Sequence, residues 1–253
     1  MTQNILAFVK DFKKSQVYSQ ILHDSKIDVI MIWVTGSTLT SICDTESDYD
    51  LCVLCTQKPI TNTSQIQPFR LYDRPGSYFL KYKPENKKVQ WIYNDLSEIL
   101  KVSQATPLDN IGWAQFKNIT SEAIIYQNPK YSFFIEYLVS IKDQIFKMSA
   151  YLFVEALLKQ LESDSLLELF NSKPTKPNKG LYHIGWLADS LQDLPIISEK
   201  LLRIKRTPVI HLSQEDITYL VSSINYLMEY KKTFNPTKLS QYNLIEMFQK
   251  LSI

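Results

Sequence analysis

The chain has 253 residues, which is enough for one elaborate domain or two modest ones, and for a sizeable hydrophobic core. Lysine and arginine number 28, and aspartate and glutamate number 26. This balance excludes a protein that coats polyanions through bulk charge. Only five residues are glycine, against an average usage of about 7%, which excludes the phosphate-binding loops that need two or three close glycines.

The compartment is predicted from cysteine usage and from the lack of long apolar runs. Cys43, Cys52 and Cys55 are few and odd in number, which fits a reducing compartment better than a disulfide framework. Cys52 and Cys55 lie three positions apart in an apolar run, so a strand would send them to opposite faces as buried thiols. No run approaches the length of about 18 apolar residues that spans a bilayer, so we expect a cytoplasmic protein without a membrane contact.

The first elements predicted in chain order form an α/β unit. Apolar residues at near-helical spacing predict one amphipathic helix over 4–23, and 27–34 is a β-branched run typical of a buried strand. A second strand is predicted at 51–54. The segments 77–82 and 88–93, separated by a turn at Pro84, predict a β-hairpin.

Beyond residue 95 the apolar period becomes helical. The segments with this spacing are 96–103, 131–170, 181–192, 196–205, 214–232 and 238–251. Ser213 and Thr237 are typical helix-start residues, while 171–180, with two prolines, predicts a loop. The predicted fold class is α+β. A domain with a small mixed sheet flanked by helices is expected over 1–128, and an all-helical domain over 129–253.

One segment combines residues that carry chemistry. Gly36 and Ser37 follow the first strand, and ten residues later Asp48 and Asp50 lead into the second. Alternate residues of a strand share a face, so the two aspartates would present both carboxylates on one side. Hard oxygen ligands of this kind suit Mg²⁺ or Mn²⁺, which complete their shells with water and substrate phosphates. A glycine at the end of a buried strand would let a phosphate approach the backbone amides.

The simpler interpretation is that these residues form an ordinary turn before a strand. Asp-x-Asp and Gly-Ser are each common, and neither would indicate a function by itself. Their combination at this spacing, between two hydrophobic strands, favours a functional site.

With this spacing, the chain resembles the DNA polymerase β-like nucleotidyltransferase superfamily. More narrowly, it is similar to the bacterial and phage predicted nucleotidyltransferases that include the RNA-ligase-associated group. Ser47 precedes the metal-binding strand as it does in that group, and 89–100 is comparable with the strand and helix that follow. The resemblance extends loosely from residue 27 to residue 192. Near the end of this range it includes Lys179 and the adjacent residues Tyr182 and His183.

The resemblance implies transfer of a nucleoside monophosphate from an NTP, with ATP expected, to an acceptor hydroxyl, with release of pyrophosphate. Asp48 and Asp50 would bind Mg²⁺ or Mn²⁺ and act in catalysis. The nucleotide would be bound by five residues, which are Gly36, Ser37, Ser47, Lys179 and His183. The acceptor, whether RNA, a protein or a small molecule, is not specified by the sequence, and neither is the oligomeric state.

The chain departs from the family pattern at the third carboxylate, because the alignment places Gln90 there. A neutral amide is a poor metal ligand and cannot act as a base. Three acids are open alternatives, namely Asp73, Glu85 and Asp95, although Asp95 lies five residues past Gln90 and so on the opposite strand face. The other open hypotheses are an attenuated or inactive protein that still binds nucleotide or a partner, and a purely structural helical module.

Local clusters of basic residues are a weaker signal. They occur at 10–14, 81–88, 173–179 and 203–206. They would suit a triphosphate or an RNA acceptor if they converged on one cleft, whereas charge runs are usually solvated faces.

Overall fold

The computed structural model describes residues 3–23, 27–39, 47–56, 77–82, 87–95, 115–163, 175, 177, 179–194, 196, 198–235 and 250. These residues divide into two compact units. The first contains the described residues of Met1–Ser103 and Gln115–Ile145, together with Lys250. The second contains those of Phe146–Gln241. The protein is of the α+β class, with one mixed sheet and a larger share of helix.

The first unit is built on a five-stranded sheet in the order β3-β4-β2-β1-β5. The strands are β1 (Val29–Thr35), β2 (Tyr49–Cys55), β3 (Ser77–Tyr82), β4 (Lys87–Asp95) and β5 (Ile124–Gln127). β2 and β4 pair in parallel, while the β1–β2, β1–β5 and β3–β4 pairs are antiparallel. The four strands predicted from the sequence are confirmed, including the β3–β4 hairpin.

The edge strand β5 was not predicted, because four residues are too few to show a period. It pairs with β1, and a polar cluster holds the two ends together. Asp28 accepts hydrogen bonds from the Lys130 ammonium at 3.1 Å and from the Tyr131 hydroxyl, while Asn128 donates to the Val29 carbonyl at 3.0 Å. These contacts join residues about 100 positions apart, so local sequence cannot reveal them.

The prediction of one helix over 4–23 is wrong, because two helices occupy this segment. They are α1 (Gln3–Phe12) and α2 (Gln16–His23), and Ser15 lies between them. The Ser15 hydroxyl donates to the Phe12 carbonyl at 2.7 Å and accepts from the Tyr18 amide at 3.1 Å. One side chain therefore ends the first helix and caps the second.

The two faces of the sheet have different coverings. One face packs against the apolar sides of α1 and α2, and the Phe8 ring stacks on Tyr49 with centroids 3.9 Å apart. On the opposite face Trp33 is fully buried. Its ring packs edge to face with the Phe116 ring, and the two ring centroids are 5.5 Å apart. Cys55 belongs to the first face and Cys52 pairs with Trp33 on the second, so the predicted buried thiols on opposite faces are confirmed.

The remaining described helices follow the sheet in the chain. They are α3 (Ser132–Ser140), α4 (Lys142–Ser163), α5 (Lys179–Leu191), α6 (Ser198–Arg206) and α7 (Gln214–Thr233). The helical periods predicted at 131–170, 181–192, 196–205 and 214–232 are confirmed where they are described, whereas 96–103, Thr237 and nearly all of 238–251 lie outside the described residues. None of the described helices is long and apolar enough to cross a membrane.

Within the second unit, close helix packing depends on Gly185 in α5. A Cβ at this position would lie 2.7 Å from a methyl group of Leu201 in α6, and 2.7 Å from the ring of Tyr219 in α7. The same face of α5 carries the buried carboxylate of Asp189, which accepts a hydrogen bond from the Tyr219 hydroxyl at 2.7 Å. A larger residue at position 185 would therefore require the Leu201 and Tyr219 side chains to shift.

The start of α7 is fixed by reciprocal hydrogen bonds. The Ser213 hydroxyl accepts from the Asp216 amide at 3.1 Å, and the Asp216 carboxylate accepts from the Ser213 amide at 3.2 Å. Arg203 of α6 donates to the same carboxylate at 2.5 and 3.2 Å. Burial would raise the pKa of Asp216, but the hydrogen bonds from Arg203 and Ser213 outweigh burial and hold the pKa below its ordinary value.

Asp216→Asn should therefore have an effect on stability that depends on pH. The carboxylate has a lower pKa when folded than when unfolded, so its contribution is complete above the unfolded pKa of about 3.9 and is lost as the pH falls through the folded value. We expect the difference in unfolding free energy between wild type and variant to be largest at pH 7 and to shrink below about pH 4.

Urea unfolding at pH 7, 5, 4 and 3 measures this difference. Glu229→Gln on the same helix is the control, because its exposed pair with Lys232 contributes little. A difference for Asp216→Asn that stays constant over the same range would contradict the assignment.

Candidate functional site

Antiparallel pairing brings the two halves of the predicted site together. β1 ends at Thr35 and β2 begins at Tyr49, and their register places Thr35 directly opposite Asp50. The residues just after β1, Gly36 and Ser37, therefore lie at the same end of the sheet as the start of β2. Although the intervening residues 40–46 lie outside the described part of the chain, the register alone fixes this neighbourhood.

Gly36 is in direct contact with Asp50. It begins a 3-10 turn, Gly36–Leu39, and has a φ of +77°, which side chains rarely tolerate. A Cβ at Gly36 would overlap the Asp50 carboxylate and lie 2.9 Å from Asp50 Cβ. The sequence predicts that a phosphate approaches the backbone here, whereas in the structure the Asp50 side chain adjoins this space. Glycine is thus required by both backbone conformation and contact with Asp50.

Strand alternation separates the carboxylates from the core. Tyr49 and Leu51 are buried in the cluster that faces α1 and α2, so Asp50 lies on the opposite face, while Asp48 immediately precedes the strand. Both aspartates are half-buried, while Tyr49 is 1% exposed. A shift of the β2 pairing register by one residue would place Asp50 in the apolar core that Tyr49 occupies. The burial of Tyr49 therefore fixes the face on which the Asp50 carboxylate lies.

The turn and the approach to β2 position the two predicted serines. The Thr38 hydroxyl donates to the Thr35 carbonyl at 2.8 Å, which closes the turn that carries Ser37. Ser37 is half-buried, and Ser47 is buried one residue before Asp48. All five predicted residues from Gly36 to Asp50 therefore lie at one end of the sheet.

The parallel strand β4 shows which residue lies beside Asp50. The register pairs Asp50 with Gln90, so the amide is the lateral neighbour of the carboxylate on the same face. Asp95 pairs with Cys55 at the far end of β2, five residues away and about 16 Å along the strand. Asp73 and Glu85, the other acids considered, lie outside the described residues.

Lys88 is a neighbour that the sequence analysis included only in a charge run. It precedes Gln90 by two positions on the same strand face, and its ammonium donates to the Gln90 side-chain oxygen at 3.3 Å. The β2–β4 register begins with Tyr49 and Val89, so the residues one step earlier are Asp48 and Lys88. Its i, i+2 spacing from Gln90 was the available signal, but only the parallel register shows that its strand lies beside Asp50.

Lys179 and His183, which were predicted to bind nucleotide, belong to the second unit. Lys179 begins α5, and the His183 side chain is buried against the Tyr182 ring with centroids 3.8 Å apart. The Lys205 ammonium lies over the same Tyr182 ring, 5.3 Å from its centre. Their role in nucleotide binding stays a prediction.

The second unit also contains a buried carboxylate with a shifted pKa. Burial raises the pKa of Asp189, although the hydrogen bond from Tyr219 and the charge of Lys200 oppose the shift. Burial, followed by the hydrogen bond to Asp189, raises the pKa of Tyr219. Shifted pKa values often mark functional sites, but here the two groups satisfy each other, so the pair is sufficiently explained by helix packing.

A groove of about 420 Å³ also lies in the first unit, where β5 meets α3. Its lining is largely apolar and includes Ile124, Ile135 and Val139. None of the lining residues carries the predicted chemistry, so the carboxylate site and this groove are separate features.

The donor set at the sheet end fits a hard divalent cation with a partly open shell. Asp48 and Asp50 offer carboxylate oxygens from two half-buried side chains at the start of β2, and Mg²⁺ is commonly bound by two carboxylates with water and substrate phosphates. Within the described ranges, no three side chains of the His, Cys, Asp or Glu types form a metal-binding group. A bound ion would thus depend on ligands from water and substrate.

Comparison with known proteins gives no relative from which to transfer a function. No protein-family model matches the chain, and no curated protein matches it either.

Gly36→Ala should destabilise the first unit. An alanine at φ +77° costs about 1–2 kcal/mol in backbone strain, and its methyl group would also displace the Asp50 carboxylate. Ser37→Ala in the same turn is the matched control, because Ser37 does not have a positive φ and alanine causes no backbone strain there. Urea unfolding measures both variants, and equal stabilities would contradict the described turn.

Proposed function

We propose that the protein is a metal-dependent nucleotidyltransferase. The observation that carries this proposal is the packing of Gly36 against Asp50, which joins the end of one buried strand to a carboxylate on the next. Asp48 immediately precedes β2, so both half-buried carboxylates belong to the same end of the sheet. A glycine turn beside paired carboxylates is suited to binding a metal–triphosphate complex.

In the proposed reaction, the acceptor hydroxyl oxygen forms a bond to the α-phosphorus of an NTP. The bond between that phosphorus and the oxygen bridging to the β-phosphate breaks, and pyrophosphate leaves with the electron pair while the hydroxyl proton passes to water. Asp48 and Asp50 would hold Mg²⁺ or Mn²⁺, which neutralises phosphate charge when bound. Gly36 and Ser37 would orient the phosphates, so the chain contributes mainly positioning.

The proposal extends to substrates and location in general terms. ATP is the expected nucleotide, and RNA, a protein or a small molecule would provide the acceptor hydroxyl. Ser47, Lys179 and His183 complete the proposed nucleotide-binding set. The proposed location is the cytoplasm.

Replacing both carboxylates should abolish transfer. The double variant Asp48→Asn, Asp50→Asn keeps side-chain size but removes the charge that would hold the metal, so we expect transfer to fall at least about 100-fold. The measurement uses α-labelled NTPs with Mg²⁺ or Mn²⁺ and a panel of RNA, protein and small-molecule acceptors, and follows both label transfer and pyrophosphate release.

Asp11→Asn is the matched control, because this exposed carboxylate of the same unit lies on α1, which packs against the face of the sheet opposite to Asp50. Transfer should be unchanged in this variant. Activity that persists in the double aspartate variant would overturn the site.

A second candidate function is a nucleotide-binding protein without transferase activity. The specific observation in its favour is the register that places Gln90, a neutral amide, beside Asp50. Calorimetry of NTP binding, together with the pyrophosphate assay, separates the two candidates. A nucleotide-binding protein without transferase activity would bind NTP but release no pyrophosphate with any acceptor of the panel. A purely structural module would instead show no rise in melting temperature with NTP and metal.

A further inference from the structure

Lys88 and Gln90 occupy the strand position beside the carboxylates. Gln90 is the lateral neighbour of Asp50, and the Lys88 ammonium is held 3.3 Å from the Gln90 side-chain oxygen. Lys88 is half-buried, so its charge is partly shielded from water. An amide held by an ammonium is a poor metal ligand, since the lysine already uses its oxygen and adds a repelling charge.

The local charge sets how many divalent ions this face can accept. Asp48 and Asp50 contribute two negative charges and Lys88 one positive charge, a sum of −1 for these three described side chains. One divalent ion would bring that sum to +1, which suits a triphosphate. A second would bring two further positive charges close to Lys88, while β4 offers the neutral Gln90 at the position beside Asp50.

We propose that the site takes a single divalent ion, on Asp48 and Asp50, and that Lys88, positioned by Gln90, contacts the phosphates of the nucleotide in place of a second ion. This inference rests on the proposed function and assigns the cation that balances the triphosphate charge. A lysine ammonium is a compact charge that pairs well with phosphate oxygens.

Lys87 provides a control of the same residue type. It is adjacent to Lys88 in β4, but strand alternation sends it to the other face, where its ammonium lies 5.2 Å from the centre of the Tyr49 ring. Lys87→Met and Lys88→Met therefore remove the same charge from the same strand, on opposite faces of the sheet.

The test measures Mn²⁺ and nucleotide binding separately, with no requirement for activity. Electron paramagnetic resonance counts bound Mn²⁺ with and without a non-hydrolysable ATP analogue, and calorimetry gives the affinity for the analogue. The wild type should bind one Mn²⁺. In Lys88→Met, Mn²⁺ without nucleotide should bind about 3- to 10-fold more tightly because a like charge is gone, while the analogue should bind about 10-fold more weakly.

Two further variants test the positions individually. Lys87→Met should change either affinity by less than about twofold, because its charge lies on the other face. The double variant Lys88→Met, Gln90→Glu should bind a second Mn²⁺, because it restores a carboxylate beside Asp50 and removes the lysine. Circular dichroism establishes folding, and Lys88→Gln replaces Lys88→Met if the latter does not fold.

The outcomes distinguish this inference from the proposed function. Two bound ions in the wild type, or a loss of both affinities in the Lys88 variant, would overturn the inference and leave the proposed function intact. Wild-type protein that binds no Mn²⁺, or equal Mn²⁺ binding in the Asp48→Asn, Asp50→Asn variant, would overturn both.

Discussion

The antiparallel pairing of β1 with β2 is the constraint on which the candidate site depends. Its register places Thr35 opposite Asp50, and the next residue, Gly36, leaves the chain at a positive φ in contact with the Asp50 carboxylate. The register is fixed from the other face, where the buried Tyr49 stacks on Phe8. An apolar contact beneath the sheet thus determines where two charged side chains appear above it, because adjacent strand residues point to opposite faces.

The parallel pairing of β2 with β4 determines the electrostatic character of the same site. It brings Gln90 beside Asp50, and Lys88 lies two positions before Gln90 on the same face of β4. A carboxylate at position 90 would have made this face strongly acidic, whereas the lysine and amide moderate its charge. The site is therefore asymmetric, with Asp50 on one strand and Lys88 and Gln90 on the next.

Several elements could be predicted from local sequence because their signals are local. The runs 27–34 and 51–54, the hairpin and the long helical periods follow from alternation, turn residues and three-and-four spacing, and Ser213 caps α7 as expected. The break between α1 and α2 was missed because the apolar spacing continues across it while the Ser15 hydroxyl makes two backbone hydrogen bonds. β5 was missed because its four residues pair with a strand about 100 positions earlier.

The sequence by itself determined the chemistry available at the site, since Gly36, Ser37, Asp48 and Asp50 could be selected from residue types and spacing alone. It also excluded multi-glycine phosphate loops through the scarcity of glycine. The tertiary structure decided which side chains are neighbours. The sequence had assigned Gln90 to this position only through the resemblance to a family. Strand order and register placed Gln90 beside Asp50, Lys88 on the same face of the neighbouring strand and Asp95 at the far end, because pairing between distant strands is set by packing of the whole sheet.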